Sequence, residues 1–213
     1  MKVAVTGDFH GYPPPEIPSD VELVLFAGDL GTGERFYERE GFAERTDYEA
    51  WLKSLLPRAR VVGVAGNHDF DSGGFRTLPW TYLENESVDV NGLKIWGSPL
   101  SPSFGAWAHM RPDADLARTW ETIPSDVDVI VTHGPPLGFC DLAQRQVHAG
   151  SSTLLHRIAY GVFPNLKLVA CGHIHEGYGI DEIPATSQNI KVVNGSYVDE
   201  RYRPGNQPIV VEL

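Results

Sequence analysis

Five short apolar runs, each breaking off at a turn of glycine and polar residues, constrain this chain more than any other feature. Residues 3–5 run into Gly7-Asp8, 23–27 into Gly28-Asp29, and 61–65 into Gly66-Asn67-His68-Asp69. Residues 127–131 lead into Thr132-His133-Gly134, and 166–170 into Cys171-Gly172-His173. Short runs rich in Val, Leu and Ile are the pattern of strands buried on both faces. Helical spacing fills several of the gaps. Tyr48, Trp51, Leu52, Leu55 and Leu56 keep it until Pro57, and Leu116, Trp120 and Ile123 keep it until Pro124. Leu154, Leu155, Ile158 and Ala159 follow a Ser151-Ser152-Thr153 start. Val88 and Val90, Asn91-Gly92, then Leu93 and Ile95 predict a hairpin with a two-residue turn. Residues 190–193 and 208–213 predict two more strands.

Strand–helix alternation followed by hairpins predicts an α/β fold, a four-layer α-β-β-α sandwich of two mixed sheets flanked by helices. No repeat or composition shift divides the 213 residues, so 1–213 reads as one domain. Pro13-Pro14-Pro15 and the Gly-rich stretch 71–74 read as loops on the rim of the strand ends. No apolar run approaches the ~18 residues of a membrane span. The first residues read as a core strand rather than a signal peptide, which makes the cytoplasm the expected location. Cys140 and Cys171 are too few for a disulfide framework or a structural zinc site. With 17 Lys+Arg against 28 Asp+Glu, the net charge of −11 argues against binding long nucleic acids. A small phosphate-bearing substrate stays open if the chain first recruits cations.

The strand exits carry the chemistry. Asp8 and His10, Asp29, Asn67-His68-Asp69, His133, and His173 with His175 all fall there, including five of the eight histidines. Residues two apart on extended backbone share a face, so Asp8/His10 and His173/His175 can each aim two groups at one point. Strand ends beside glycine turns are where α/β sheets place ligands. Carboxylates, imidazoles and one amide suit a borderline divalent cation such as Mn²⁺, Fe²⁺ or Zn²⁺. Singly, each piece is ordinary; an Asp-x-His is more often a turn. The ordered set, each member on the tail of an apolar run, is what carries weight.

That set, with Thr132-His133-Gly134-Pro135-Pro136 and Gly172-His173-Ile174-His175, resembles the calcineurin-like metallophosphoesterases over residues ~3–195. The stretches 132–138 and 172–179 are most similar to the small metallophosphoesterase-domain branch, whose brain-type animal members act on cyclic nucleotides. The resemblance implies two divalent metal ions, manganese first, with iron, zinc, cobalt or nickel as alternatives. It implies that Asp8, His10 and His175 hold one and Asn67, His133 and His173 the other, with Asp29 bridging. It gives His68 a contact to the phosphate and the leaving oxygen, and Asp69 the task of orienting His68. Some brain-type members carry Gly where this chain has His173, so a complete second metal site is expected. Two cations ~3.5–4 Å apart can clamp a phosphoryl group and acidify a shared water for in-line attack.

The expected activity is therefore phosphodiester hydrolysis, with a small phosphodiester or nucleotide as substrate, no long nucleic acid and no membrane partner. A phosphomonoesterase, a nuclease on short oligonucleotides and a non-catalytic metal-binding module are the rivals. Outside the motifs, His148 and His156 read as ordinary residues and His109 as a candidate for the pocket wall. Cys140 and Cys171 read as small buried hydrophobes. Trp107, Phe104, Tyr178 and Phe139 follow motif loops and are candidates to stack on a base, with core packing the commoner role. Arg35 and Arg111 can meet a phosphate, and the charge run 34–44 reads as a solvated face.

Overall fold

Alternation inside each apolar run sets the layers. The computed structural model describes residues 1–31, 43–70, 72–185 and 189–213; Arg35 and most of the charge run 34–44 lie outside them. Val3 and Val5 of β1 (Lys2–Thr6) enter one apolar cluster and Ala4 another. Leu23 and Leu25 of β2 (Leu23–Phe26) separate from Val24 and Phe26 in the same way. Successive side chains on a strand point to opposite faces, so a doubly buried strand serves two cores.

Helix α1 (Arg45–Leu55) and β3 (Arg60–Gly63) follow, then the single turn α2 (Ser72–Phe75) and β4 (Thr81–Tyr82). The expected hairpin forms from β5 (Glu86–Val90) and β6 (Leu93–Ser98), with Asn91 and Gly92 at φ 52° and 82° as its turn requires. Next come β7 (Ser101–Pro102), β8 (Met110–Arg111), α3 (Asp113–Trp120) and β9 (Val129–Thr132). A short pair, β10 (Leu142–Ala143) and β11 (Val147–His148), precedes α4 (Ser152–Tyr160). The chain continues through β12 (Leu168–Cys171), β13 (Gly179–Ile183), β14 (Ile190–Asn194) and β15 (Ile209–Glu212).

One sheet has the order β15-β1-β2-β3-β4, the other β13-β14-β12-β9-β6-β5. In both, the central strands are parallel; β15, β13 and β5 pair antiparallel at edges. Val5, Leu25, Val62, Ile95, Val131 and Ala170 fill the space between the sheets. Tyr48, Leu52 and Leu55 of α1 cover the outer face of the first sheet. Leu116 and Trp120 of α3 and Leu154 and Ile158 of α4 cover the second, against Trp96, Ile130 and Val169. Each such side chain, fully buried, contributes roughly 1.5–3 kcal/mol. The architecture is the predicted α-β-β-α sandwich.

Register then positions the turns. Val5 pairs with Leu25 and Leu25 with Val62; Val131 pairs with Gly97 and Ala170. Parallel strands in step end at one level, so their glycine-polar exits gather on one rim. The bridge from Gly7 to Ser196 joins the sheets there.

The structure differs from the sequence reading in several places, among them the two-residue strands β4, β7, β8, β10 and β11, which the sequence did not mark. Ser72–Phe75 is a helical turn rather than loop. Strand β13 was not foreseen, because an antiparallel edge strand with exposed Ile180, Asp181 and Glu182 carries too little apolar signal. Helix α4 is anchored by Asp113 at the start of α3. The Asp113 carboxylate accepts from Ser151 Oγ (2.6 Å), Ser152 N (3.0 Å), Thr153 N (3.2 Å) and Thr153 Oγ1 (2.9 Å). These donors hold its carboxyl below the usual range although partial burial opposes them. A depressed carboxyl stabilises the fold above its unfolded pKa and loses that contribution as pH falls through its folded value. Asp113→Ala is expected to cost about 2 kcal/mol in urea unfolding at pH 7, and less below pH 4.

Candidate metal centre

The backbone at the rim is bent in a way the spacing did not reveal. Asp8, His10, Asp29 and His173 have φ of 53°, 46°, 56° and 69°. Left-handed backbone costs a non-glycine residue roughly 1–2 kcal/mol, and such residues persist where the surroundings over-determine them. Here Asp8 N donates to Gly28 O (2.8 Å), His10 N to Asp29 O (3.0 Å) and Gly11 N to Leu30 O (3.0 Å). The extended i, i+2 geometry expected for Asp8/His10 and His173/His175 is therefore replaced by left-handed turns, and His175 opens a 3-10 turn (His175–Gly177). Two glycines make room for the carboxylates. A Cβ on Gly66 would lie 2.1 Å from Asp29 Oδ1, and one on Gly172 2.3 Å from Asp8 Oδ2.

The side chains converge despite separations of more than a hundred residues. Asp8, His10 and His175 offer ligand atoms within 4.8 Å of one another, as do His10, Asp29 and His68, and Asp8, Asp29 and His133. Asn67 Oδ1 meets His133 Nε2 at 2.8 Å. The His173 ring lies 4.7 Å from that of His133, outside the three close groups. Asp29 Oδ2 sits between the halves, 3.7 Å from His10 Nε2 and 3.5 Å from His133 Nε2. Asp8 accepts from His173 N (3.0 Å) and Ser196 Oγ (2.7 Å).

The donor chemistry fits cations. His133 Nδ1 is 2.8 Å from Ala27 O. A carbonyl only accepts, so Nδ1 carries the proton. Burial lowers the His133 pKa to about 4, so the ring is neutral and its Nε2 is a bare lone pair facing the Asn67 oxygen. A cation placed between them would satisfy both acceptors. His175 repeats the pattern: Nδ1 faces Asp199 O at 3.2 Å, and Nε2 lies 3.1 Å from His10 Nε2. Two nitrogens each about 2.0–2.1 Å from one ion adopt such a spacing. Burial, then the charges of His175 and His68, keep His10 well below its usual pKa and therefore neutral. Burial and the neighbouring Asp69 and Asp8 push the Asp29 carboxyl well above its ordinary range. Among the described residues, the ion pairs of Asp8 and Asp29 are all with histidines, none with Lys or Arg.

Asp69 works on the backbone. Its buried carboxylate accepts from Asp29 N (2.8 Å), Leu30 N (3.3 Å), Gly31 N (3.0 Å) and Gly66 N (2.8 Å). Burial raises it to about 6, still ionised at pH 7 and able to accept all four. Asp69 and His68 share one loop, where His68 N also donates to Asp29 Oδ1 (2.8 Å). His68 itself is partly exposed, at the mouth of the site.

Aromatic rings line that mouth. Trp107 lies 4.5 Å from His68 and Phe104 5.7 Å from His173. Tyr202, which no sequence pattern singled out, lies 4.8 Å from His10 and 4.9 Å from His175. Phe139 packs against the α3–α4 core, and Tyr178 donates to Gln207 O (2.9 Å). His109 lies on the Trp107 loop beside a cavity shared with Arg111, His148 pairs with Asp141 at 2.6 Å, and His156 is exposed. Both cysteines are free and buried; burial pushes Cys140 up to about 12 and Cys171 well above its usual value, which favours the thiol form in both.

The family model of the calcineurin-like phosphoesterases matches residues 1–177. Metallophosphoesterase domain-containing protein 1 of Homo sapiens is 40% identical over 223 residues, covering 90% of this chain and 64% of that protein. The Mus musculus protein of the same name gives the same values. The chain thus spans somewhat less than two thirds of these relatives. A probable rhamnogalacturonate lyase C of Emericella nidulans is 35% identical over 199 residues, covering 84% of this chain but 17% of that protein.

Proposed function

The chain belongs to the calcineurin-like phosphoesterase family, and from that premise we propose that it is a two-metal phosphodiesterase for small phosphodiesters, cyclic nucleotides first among them. The family itself carries the coarser reading, a metal-dependent phosphoester hydrolase. The observation that supports the finer one is the place of Asp29 Oδ2 between His10 and His133. Asp8, His10 and His175 would hold one ion, Asn67, His133 and His173 the other, and Asp29 both. Manganese is the first metal to test, then iron, zinc, cobalt and nickel. When bound, such a pair polarises a phosphoryl group and lowers the pKa of a shared water.

The chain's own groups do the rest. Only Asp8 and Asp29 offset the ions, so the centre stays attractive to an anion while the acidic surface is screened beyond ~8 Å. His68, at the mouth, hydrogen-bonds the phosphate and hands a proton to the leaving oxygen. Asp69 keeps the His68 loop docked on the Asp29 loop. The substrate is a small diester, with no polymeric nucleic acid and no membrane as partner, in a single domain working in the cytoplasm. Among the described residues, no helix is long and apolar enough to cross a membrane.

Chelation should abolish hydrolysis of bis-(p-nitrophenyl) phosphate, and Mn²⁺ should restore it. His68→Ala should lower the restored rate by about 10²-fold with metal content retained. Activity indifferent to chelator, or unchanged in His68→Ala, overturns the reading. Faster turnover of p-nitrophenyl phosphate than of the diester would favour a monoesterase.

A further inference from the structure

The rings around the mouth are displayed rather than packed. Phe104, Trp107 and Tyr202 are 70%, 40% and 48% exposed, and none belongs to the three apolar cores. Water-exposed aromatic surface beside a nest of ionisable groups needs a reason, since such side chains gain most by burial. Their placement is built. The Trp107 loop is tied to the candidate ligand Asn67 by Ala108 N donating to Asn67 O (3.1 Å). Tyr202 sits in a turn closed by Tyr202 N donating to Asp199 O (2.9 Å), with Asp199 Oδ1 accepting from Arg201 N and Arg203 N (2.9 Å each). Asp199 O also faces His175 Nδ1 at 3.2 Å, so one turn both orients a histidine of the centre and projects a ring over it. Tyr202 has φ 57°, a strained conformation for an aromatic residue.

Trp107 and Tyr202 therefore flank His68, at 4.5 and 6.5 Å between ring centroids, while Phe104 covers the His173 side. We propose that Tyr202 and Trp107, with Phe104 beside them, form an aromatic clamp that selects phosphoesters carrying a planar ring next to the phosphate, as a nucleobase is carried by a nucleotide. Tyr202 is the specificity-determining residue. The inference rests on the reading that the phosphate sits among the histidines, and it adds which residues read the rest of the substrate. Both rings lie within 6.5 Å of the His68 ring, near enough for a base carried by a phosphate held there to stack on them, and such stacking is insensitive to the identity of the base.

The test compares two ligands that differ only by the base. Adenosine 5′-monophosphate and ribose 5-phosphate are titrated calorimetrically into the metal-loaded protein. The nucleotide should bind about tenfold tighter or more. Tyr202→Gly removes the ring and suits the positive φ, so the fold is not threatened. In it, and in Trp107→Leu, the affinity ratio should fall to within about twofold of one, whereas Tyr202→Phe should keep it. An unchanged ratio in Tyr202→Gly and Trp107→Leu, or no preference in the unaltered protein, overturns the clamp. Base preference in a protein that hydrolyses no phosphoester would leave the clamp standing and remove the catalytic reading. Hydrolysis without base preference would do the reverse.

Discussion

On the proposed two-metal reading, Asp29→Asn is expected to lower metal-dependent phosphodiesterase activity by about 10³-fold and metal content from two ions per chain to one or fewer. The carboxylate oxygen lies within 3.7 Å of His10 and 3.5 Å of His133, in reach of both halves, so both lose a ligand. The amide keeps an acceptor for His68 N, which separates loss of charge from loss of the loop. A second readout follows from linkage. In the metal-free chain Asp29 titrates well above its unfolded value because of burial and its acidic neighbours. The folded state then holds a proton that the unfolded state has released, so its contribution to metal-free stability falls as pH rises above the unfolded pKa. Chelated Asp29→Asn should accordingly melt higher than the chelated parent at pH 7, while metal raises the midpoint of the parent far more. Elemental analysis and thermal melts with and without chelator check both effects. A variant with two ions and activity within tenfold of the parent would remove Asp29 from the centre.

Asp69→Ala should show the opposite signature, a loss of stability beyond any ligand effect. It leaves four buried N–H groups, those of Asp29, Leu30, Gly31 and Gly66, without their acceptor. An unsatisfied buried donor costs about 1–3 kcal/mol, so the sum exceeds about 4 kcal/mol, a large share of the 5–15 kcal/mol that holds a typical domain. Asp69→Asn should recover much of the loss, because three of the four donors share Oδ2, where the amide oxygen can sit, and only Gly31 N would face the amide nitrogen. Urea unfolding of metal-free protein at pH 7 measures this. A midpoint within experimental scatter of the parent would mean that the two loops stay docked without the carboxylate.

The apolar runs were legible as strands because burial on both faces leaves a continuous local signal, and three helices were legible from their spacing and from Pro57, Pro124 and the Ser151 start. Strand β13 was silent because an exposed edge needs no such run. The candidate ligands were legible as a set, since each follows a strand that must end at the same rim. Their convergence was not. The i, i+2 argument assumed extended backbone, and the molecule bends Asp8, His10 and His173 into left-handed turns through hydrogen bonds between different strand exits. The resemblance alone gave Asp69 a part in orienting His68; its bonds to Asp29 N, Leu30 N and Gly31 N come from a loop that only folding brings beside it.

By itself, then, the order of residues determined which buried core strands form, which layers they feed and which side chains follow them at the rim. The three-dimensional packing decided how those side chains meet, as in the contact between His10 and His175, 165 positions apart, and in the delivery of Tyr202 to the mouth by a turn near the C-terminus. The reason is physical: periodicity and turn chemistry are local and survive in a string of letters, whereas the direction of a side chain at a strand end is set by hydrogen bonds to backbone from distant parts of the chain.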